Sequence, residues 1–340
     1  MSAGRVVVVG AGVIGLTAGV RLAQAGFEVE VLAREMPLET TSAVAAAIWY
    51  PYLIRPLDRA FEWAGRSLAE FERLADEPAA GVAMRQGSEL LREPAAQPWW
   101  SPLVPGLRPL DSVPPTFAGG WSFVTPVVEM PLYLGWLQAR LEALGGSMTR
   151  VALWALPDDA EVVVNCAGLG ARSLVGDRSL SPVSGQVLVM TQVGLESWVL
   201  DGAGLTYVVP RSNDVILGGT VIAGDWDTSP DPGAAAQILG RATALVPELA
   251  EAHVVAQRVG LRPARPEVRL DVEQTSAHNR VVHCYGHGGA GVTVSWGCAD
   301  EVVTLVQQLV PQRKAVPVPA RRAPDQKSRA VGSSIPRSSS

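Results

Sequence analysis

The stretch RVVVVGAGVIGLTAGVRLAQAGFEVEVLARE (5–35) decides the fold. Its valine run at 6–9 is typical of a strand buried on both faces of a parallel sheet. Gly10, Gly12 and Gly15 follow with G-x-G-x-x-G spacing, which permits a tight turn, close approach of a pyrophosphate to backbone amides, and close packing of helix on strand. The partial positive charge of the helix N-terminus favours phosphate there. The stretch therefore predicts a strand, helix and strand unit that binds a dinucleotide.

Two charges at the end of the second predicted strand bear on which dinucleotide is bound. Glu35 comes twenty residues after Gly15, a position from which a carboxylate can accept hydrogen bonds from both ribose hydroxyls. This arrangement favours an adenosine diphosphate group without a 2′-phosphate. We predict that Arg34 and Glu35 contact the cofactor, and exposed charges at a strand end are the alternative for both.

Two later segments favour FAD over NAD. EVVVNCAGLGA (161–171) reads as a buried strand that returns to the same sheet and lays small residues beside the cofactor. YGHGGAGVTVSWGCADEVVTLVQQLV (285–310) is a glycine-dense loop leading into an apolar-periodic helix, although a mobile loop is the alternative reading of its glycines. The N-terminus of that helix could face the electron-rich edge of an isoalloxazine ring. Three separate pieces that converge on one cofactor fit a large flavin better than a nicotinamide.

The arginine-rich stretch GLRPARPEVRL (260–270) cannot form a helix. Proline lacks the amide donor and biases the preceding residue toward extended geometry, so a strand or polyproline-like edge is expected. Extended backbone alternates its faces, and Arg262 can therefore point away from Arg265 and Arg269. We predict that one arginine looks inward while the others make surface or interdomain ion pairs.

Composition excludes several classes of protein. The chain has 340 residues, of which 48% are hydrophobic and 18% charged, and this is a globular composition that allows two domains. A net charge of −5 gives no reason to expect nucleic acid as a partner. No apolar run reaches the roughly 18–20 residues that span a bilayer, and no signal peptide precedes the first strand. A soluble cytoplasmic protein without membrane attachment is expected.

The cysteines and the C-terminal tail carry no predicted chemistry. Cys166, Cys284 and Cys298 stand apart without a C-x-x-C pair, which predicts buried thiols in a reducing compartment and no metal site, with a structural disulfide or a metal site as the alternative. The tail 312–340 is rich in Pro, Ser and Arg, which predicts disorder, with an interaction arm as the alternative.

Taken together, these stretches resemble the D-amino-acid oxidase family of FAD-dependent enzymes from Arg5 to about Gln308. The resemblance lies closer to the D-amino-acid oxidases themselves than to D-aspartate oxidase. The residues that carry it are VVVVGAGVIGL (6–16), TTSAVAAAIWYPYL (40–53), VVVNCAGLGA (162–171), TYVVPRSNDVILGGT (206–220), GLRPARPEVRL (260–270) and YGHGGAGVTVSWGCA (285–299).

The resemblance implies a set of substrate contacts. Arg262 matches the family arginine that binds the substrate carboxylate, a role that suits a planar guanidinium because it can pair with both oxygens. Tyr207 matches the tyrosine whose hydroxyl contacts the same carboxylate, and the Gly289 carbonyl would meet the amine. The remaining side chains that would line the pocket are Ile48, Tyr50, Tyr52 and Val209. Family members commonly have a second aromatic residue over the pocket, four positions before the tyrosine. This chain has Ala203 there, so the cover over the pocket would be smaller and bulky substrates are expected.

The resemblance also implies non-covalent FAD. Besides Arg34, Glu35 and Arg262, the residues that would contact it are Gly10, Gly12, Val13, Ile14, Gly15, Thr40, Thr41, Ser42, Ala47, Ile48, Trp49, Val151, Cys166, Ala167, Gly168, Gly286, Gly288, Gly289, Gly291, Val292 and Thr293. Taken without the resemblance, AVAAAI at 43–48 is more simply a core segment.

The implied reaction is oxidative deamination of a D-amino acid with O2 as the electron acceptor. Hydride transfer from Cα of a neutral amine needs no general base, so no acid or base residue is predicted, and His287 is expected to support its loop. Arg211 opens the turn PRSND and is expected to be exposed, which leaves no second cation and favours neutral substrates over D-aspartate. The alternatives are a D-aspartate oxidase, a glycine- or sarcosine-type amine oxidase, and a non-catalytic FAD-binding protein.

The predicted architecture is an α/β fold. A Rossmann-like FAD domain would be assembled from residues 1–55, 131–182 and 267–311, and an α+β substrate domain with a mainly antiparallel sheet from 56–130 and 183–266. Strands are expected near 183–190, 205–211 and 214–220, and a helix over 56–76. A homodimer is compatible with this arrangement.

Overall fold

The computed structural model describes residues 4–274 and 280–310, so the predicted disordered tail lies outside the described part. The helices in this part are α1 (Val13–Gln24), α2 (Thr41–Val44), α3 (Leu57–Leu74), α4 (Met130–Ala143), α5 (Ala171–Leu174), α6 (Pro232–Leu245) and α7 (Gly291–Leu309), with short 3₁₀ turns at Pro37–Glu39, Pro78–Ala80, Ser101–Leu103, Gly168–Gly170 and Pro247–Glu251. The strands are β1 (Arg5–Val9), β2 (Glu28–Ala33), β3 (Val82–Leu91), β4 (Arg108–Pro109), β5 (Gly119–Val128), β6 (Ser147–Arg150), β7 (Val162–Asn165), β8 (Ser181–Thr191), β9 (Trp198–Asp201), β10 (Thr206–Pro210), β11 (Asp214–Gly218), β12 (Ile222–Ala223), β13 (Val254–Gln274) and β14 (Arg280–His287).

Five parallel strands, in the order β14, β7, β1, β2, β6, form what we call the parallel region. Val6 and Val8 of β1 pack into the main core beneath α1 and α7, whereas Val7 and Val9 pack into a second cluster on the opposite face. Both faces of β1 are therefore buried, as its unbroken valine run predicts. The strand, helix and strand unit predicted from residues 5–35 is confirmed.

The antiparallel region consists of β3, β5, β9, β10, β11 and β8, whose neighbours pair antiparallel except for β3 with β9. Helix α6 packs on β8, β10 and β11 and buries Ile238 and Ala242 against Leu188 and Leu217. The strands predicted near 183–190, 205–211 and 214–220 correspond to β8, β10 and β11. The predicted α/β fold class with a large antiparallel sheet is confirmed.

Strand β13 joins the two regions into one continuous sheet. It pairs with β8 over residues 254–264 and with β14 over residues 264–274, and its register shifts between Ala264 and Arg269. Pro266 lies within this shift, where a missing amide donor costs no ladder hydrogen bond. The extended geometry predicted for the arginine-rich stretch is confirmed, and its arginines project near the change of partner strand.

Two of the three arginines in GLRPARPEVRL (260–270) make the predicted ion pairs. Arg265 Nε lies 3.1 Å from Asp177 Oδ2, and Arg269 Nη2 lies 2.6 Å from Glu273 Oε2. The prediction for Arg211 is wrong, since its side chain is buried and forms a two-point pair with Asp214, at 2.6 and 2.7 Å. The pair closes the turn between β10 and β11, so the guanidinium is withdrawn from solvent.

Helix α3 confirms the helix predicted over 56–76, and it packs on α7 through a close backbone contact. A Cβ at Gly297 would lie 2.4 Å from the Trp63 backbone, so only glycine fits at this crossing. The amide of Gly297 also donates a hydrogen bond to the Ser67 hydroxyl oxygen, at 3.0 Å. No helix within residues 4–274 and 280–310 is long and apolar enough to cross a membrane.

Candidate active site

A cavity of ≈ 930 Å³ lies where the parallel and antiparallel regions meet. Its volume is near the upper end of small-molecule sites, about 300–1,000 Å³, so it suits a large ligand. Segment 40–55, strands β10 and β13 and the loop after β14 contribute to its wall. Every residue predicted from the sequence to contact substrate or cofactor lines this cavity except Gly15 and Trp49.

Gly15 and Trp49 serve the fold around the cavity. A Cβ at Gly15 would lie 1.9 Å from the Gly10 carbonyl oxygen, so this glycine lets α1 pack tightly on the turn after β1. The Trp49 ring is fully buried and its Nε1 donates to the Ala64 carbonyl at 3.1 Å. This hydrogen bond anchors the indole to α3, and Trp49 does not line the cavity, so its place along a flavin ring stays a prediction.

The turn between β1 and α1 is shaped to bring a ligand onto backbone amides. Gly10 has φ +115°, and a Cβ there would lie 2.4 Å from the Cys166 carbonyl oxygen. Gly12 faces open space, and a Cβ there would meet only the Ser42 hydroxyl, at 3.2 Å. That hydroxyl accepts a hydrogen bond from the Val13 amide at 3.0 Å and holds the 40–55 segment against the helix N-terminus. The helix dipole and the first-turn amides beyond Val13, which have no partner within a helix, favour an anion here.

The cavity continues along the carboxyl end of β2. Arg34 and Glu35 line it and pair with each other, with Arg34 Nε 2.5 Å from Glu35 Oε1. Val151 closes this end, where its amide donates to the Ala33 carbonyl at 2.8 Å. The Glu35 side chain remains 44% exposed, so its carboxylate is open to a ligand despite the pair.

Arg262 dominates the opposite end of the cavity. Its Nη1 donates to the carbonyls of Thr220 and Ser184, at 3.2 and 3.5 Å. Among the residues that the structure describes, no carboxylate pairs with this guanidinium, although a partly buried charge is usually paired. A Cβ at Gly185 would lie 2.1 Å from Nη1, so glycine at this position makes room for the charge.

Tyr207 and Gly289 converge on the same end. Burial raises the pKa of Tyr207, while the charge and hydrogen bond of Arg262 oppose that rise, which places the phenol beside the guanidinium. A Cβ at Gly218 would lie 1.8 Å from the Tyr207 ring, so the facing strand must carry glycine there. A Cβ at Gly289 would lie 3.2 Å from the Tyr52 ring and 3.6 Å from Arg262 Cδ. A guanidinium, a phenol and a close backbone segment therefore surround one small volume.

Sequence reasoning missed Glu89, which does not line the cavity but holds the Tyr50 side chain at this end of it. Its Oε1 accepts a hydrogen bond from the Tyr50 hydroxyl at 2.6 Å, and its side chain is buried. Within the described residues its Oε2 has no hydrogen-bond partner, and burial raises the pKa of this carboxyl. Burial likewise raises the pKa of the Tyr50 hydroxyl. The signal was a single acidic residue in the apolar strand sequence SELL (88–91).

Gly185, Gly219 and Thr220 were also missed as cavity residues. The glycine pair in ILGGT (216–220) was the available signal, because adjacent glycines in a strand often mark a close approach by another group. Thr293 contributes in a different way, since its hydroxyl donates to the Tyr50 carbonyl at 3.0 Å and ties α7 to the 40–55 segment.

The residues present fit FAD. A glycine turn that clears space for a pyrophosphate, an acid at the ribose position and a helix N-terminus at each side of the cavity match the parts of a dinucleotide. The fold and the site thus define a flavin-dependent oxidoreductase. Residues 5–305 match the family model described as FAD dependent oxidoreductase, and the chain belongs to this family.

Relatives and solved structures agree with this class. The chain is 49% identical over 310 residues to a D-amino-acid oxidase from Rubrobacter xylanophilus, covering 88% of this chain and 95% of that protein. It is 37% identical over 329 residues to D-aspartate oxidase from Homo sapiens, covering 91% and 96%. The fold is similar to glycine oxidase from Geobacillus kaustophilus, with a TM-score of 0.76, 21% identity, and coverage of 90% and 95%.

Proposed function

We propose that the protein catalyses FAD-dependent oxidation of neutral D-amino acids to 2-oxo acids, ammonia and hydrogen peroxide, with O2 as the acceptor. The observation that carries the proposal is the Arg262 guanidinium, which faces the cavity without a carboxylate partner among the described residues. A ligand carboxylate is the group that best satisfies such a fork of donors. The relative named D-amino-acid oxidase, at 49% identity across most of both chains, supports the same activity.

The residues at this end of the cavity divide the work of holding an amino acid. Arg262 binds the carboxylate at two points, and the Tyr207 hydroxyl donates to one of its oxygens. The Gly289 carbonyl accepts from the amine, and these contacts fix Cα with one hydrogen directed at the cofactor. When bound, FAD would supply the redox chemistry that carries two electrons from the substrate to O2. No acid or base residue is required once the amine is neutral.

Different parts of the cavity would contact different parts of the cofactor. Gly10, Gly12 and the first-turn amides of α1 bind the pyrophosphate, Glu35 binds the ribose, and Thr293 with the loop after β14 meets the flavin ring. In this proposal the FAD domain of residues 1–55, 131–182 and 267–311 contains the parallel region, and the substrate domain of 56–130 and 183–266 contains most of the antiparallel region. The cytoplasmic location and the homodimer stay predictions.

A preference for neutral side chains follows from what surrounds the pocket. Ile48, Val209 and the ring of Tyr50 present apolar surface. Arg211 pairs with Asp214 and does not line the cavity. D-aspartate is the second candidate substrate, because the exposed Arg55 lines the cavity and one relative is named D-aspartate oxidase.

The decisive experiment mixes the FAD-loaded protein anaerobically with D-alanine, D-methionine, D-phenylalanine and D-aspartate, then with the L-forms and glycine. Bleaching of the flavin by neutral D-forms supports the proposal, and faster bleaching by D-aspartate favours the second candidate. Arg262→Leu is expected to abolish bleaching, while Arg258→Leu on the same strand serves as an exposed control. Reduction by glycine alone would indicate an amine oxidase, and no reduction at all would indicate a binding protein.

A further inference from the structure

Three side chains that the proposed reaction does not use meet behind the cavity. Cys284 lies near the end of β14, His287 is its last residue, and Cys298 lies on α7. The two sulfurs and one imidazole nitrogen of this thiol–imidazole cluster all lie within 4.8 Å of one another. Each of the three residues is at most 4% exposed.

The distances in the cluster match those around a tetrahedral metal ion. His287 Nε2 lies 3.6 Å from Cys298 Sγ and 4.0 Å from Cys284 Sγ. Zinc binds sulfur at about 2.3 Å and imidazole nitrogen at about 2.0–2.1 Å, which sets neighbouring donors roughly 3.6–3.8 Å apart. A small adjustment of the side chains would therefore place all three donors around one ion.

The cluster is also poorly satisfied as a set of hydrogen bonds. Within residues 4–274 and 280–310, the hydrogen-bond partners of the His287 ring are the two sulfurs. Thiols are weak donors and weak acceptors. Buried polar groups normally have stronger partners. Two thiolates around a divalent cation would instead form a neutral centre, which suits a buried position.

We propose that Cys284, His287 and Cys298 form a binding site for a thiophilic divalent cation of the Zn²⁺ class. The inference rests on the geometry of the cluster and is independent of the proposed oxidase activity. The proposal departs from the sequence-based prediction of no metal, which considered the cysteines separately. Their spacing, C-x2-H-x10-C, resembles no common zinc motif, because the topology brings α7 back over the end of β14.

Position suggests a role for the ion. Cys284 and His287 line the cavity, so the cluster borders the space proposed for FAD. Once bound, it would tie β14 to α7 on either side of the loop 288–290, which holds Gly289 against Tyr52 and Arg262. The ion would act as a structural clamp on the substrate end. Three protein ligands would leave a fourth position for water.

The test uses the FAD-loaded full chain, reduced under argon, stripped with a chelator, and then equilibrated with zinc chloride. Gel filtration followed by elemental analysis is expected to give one zinc per chain, with a rise in Tm of several degrees because the ion binds only the folded state. Cys284→Ser, Cys298→Ser and His287→Gln should each lose the bound zinc and the rise in Tm.

Two buried residues of the same types provide matched controls. Cys166→Ser removes a thiol that contacts Cys284 but lies outside the cluster, and His283→Gln removes the other imidazole of β14. Both are expected to keep one zinc per chain. Equal zinc content in the cluster variants and these controls would overturn the proposal, as would zinc that remains below stoichiometry in the native sequence.

A second readout does not depend on variants that fold. Cobalt added to the native chain is expected to show tetrahedral ligand-field bands at longer wavelengths than the flavin, and X-ray absorption of the zinc form should give two sulfur ligands near 2.3 Å. Octahedral cobalt spectra with only oxygen and nitrogen ligands would refute the site. Flavin reduction by D-alanine, measured separately, keeps failure of the oxidase proposal distinct from failure of the metal proposal.

Discussion

Under the proposed function, the parallel and antiparallel regions would bind their ligands by different means. The parallel region offers backbone, since Gly10 and Gly12 clear a path to the amides of α1. The antiparallel region and β13 offer side chains, namely Tyr207 and Arg262, for which the facing strands provide room through Gly218 and Gly185. Backbone recognition depends on local spacing, whereas side-chain recognition depends on which strands face each other. If this division holds, variants of one region should spare the ligand of the other.

The largest expected effect belongs to Arg262. Arg262→Leu should lower kcat/KM for D-alanine about 10²–10³-fold, because two charge-assisted hydrogen bonds worth roughly 3–4 kcal/mol are lost and 1.4 kcal/mol is tenfold. FAD affinity should stay within about twofold. Steady-state kinetics and flavin titration measure the two quantities.

Two further variants test the explanation for Arg262. Arg262→Lys should recover little activity because an ammonium cannot reproduce the fork. Arg258→Leu, at an exposed position on the same strand, should match the unmodified enzyme. Loss of FAD in Arg262→Leu would break the comparison between the two regions.

Gly12→Ala should lower the affinity for FAD, whereas Arg262→Leu should lower kcat/KM for the substrate. The backbone at Gly12 has φ −73° and its Cβ would meet only the Ser42 hydroxyl, so the fold tolerates alanine. The added methyl would occupy the pyrophosphate approach, and overpacking of about 1–3 kcal/mol should raise the FAD Kd roughly 10- to 100-fold. Titration of the apoprotein by flavin fluorescence measures this change. Gly240→Ala on α6, where a Cβ meets nothing within 4 Å, is the control.

Tyr207→Phe should have a smaller effect on the substrate alone. Loss of one hydrogen bond to a charged group, about 1.5 kcal/mol, should lower kcat/KM roughly tenfold, mostly through KM. The apolar ring still fills the space beside Gly218, so stability should not change. A comparable loss of FAD affinity in this variant would show that the antiparallel region does not act on substrate alone.

Glu89→Gln should have the smallest effect, on stability rather than catalysis. The pKa of Glu89 is raised by burial, so the folded state binds its proton more tightly than the unfolded state does. The stabilisation that comes from this tighter proton binding is therefore fully present below the pKa of the unfolded state, about 4.3. It is lost as pH rises through the higher pKa of the folded state. Glutamine keeps an acceptor for Tyr50 without a charge, and the Tm near neutral pH should rise slightly.

The pH dependence of unfolding distinguishes this explanation from a packing effect. The difference in Tm between Glu89→Gln and the unmodified chain should shrink as pH falls toward 4, where Glu89 is protonated in both states. A difference that is constant across pH would mean that the charge of Glu89 is not its cause.

The sequence predicted the parallel region from residues alone. The valine run, the glycine spacing and Glu35 act within one strand, helix and strand unit, so local rules are sufficient. Arg262 and Tyr207 were assigned through family resemblance, because no local pattern shows that β10 and β13 face one cavity. Neither local pattern nor family resemblance indicated Glu89, because its partner Tyr50 lies 39 residues away in the chain.

Three features that the sequence does not show share one physical origin. Arg211 was expected in solvent because a turn sequence usually is, but its pairing with Asp214 depends on the register of β10 and β11. Trp49 follows two cavity residues in sequence, yet its indole turns toward α3. The thiol–imidazole cluster arises only where α7 passes over β14. Long-range packing decided all three.

The continuous strand β13 has a consequence for how ligands enter and leave. Its first half is hydrogen-bonded to β8 and its second half to β14, so the two regions share one covalently continuous strand and can separate only if β13 bends near its register shift between Ala264 and Arg269. Ligands can enter and leave without that bend if part of the rim moves. Leu205 lines the cavity, is 42% exposed and has a positive φ in the short connection before β10. The enzyme would then keep a rigid cavity and open it through the short segment that carries Leu205.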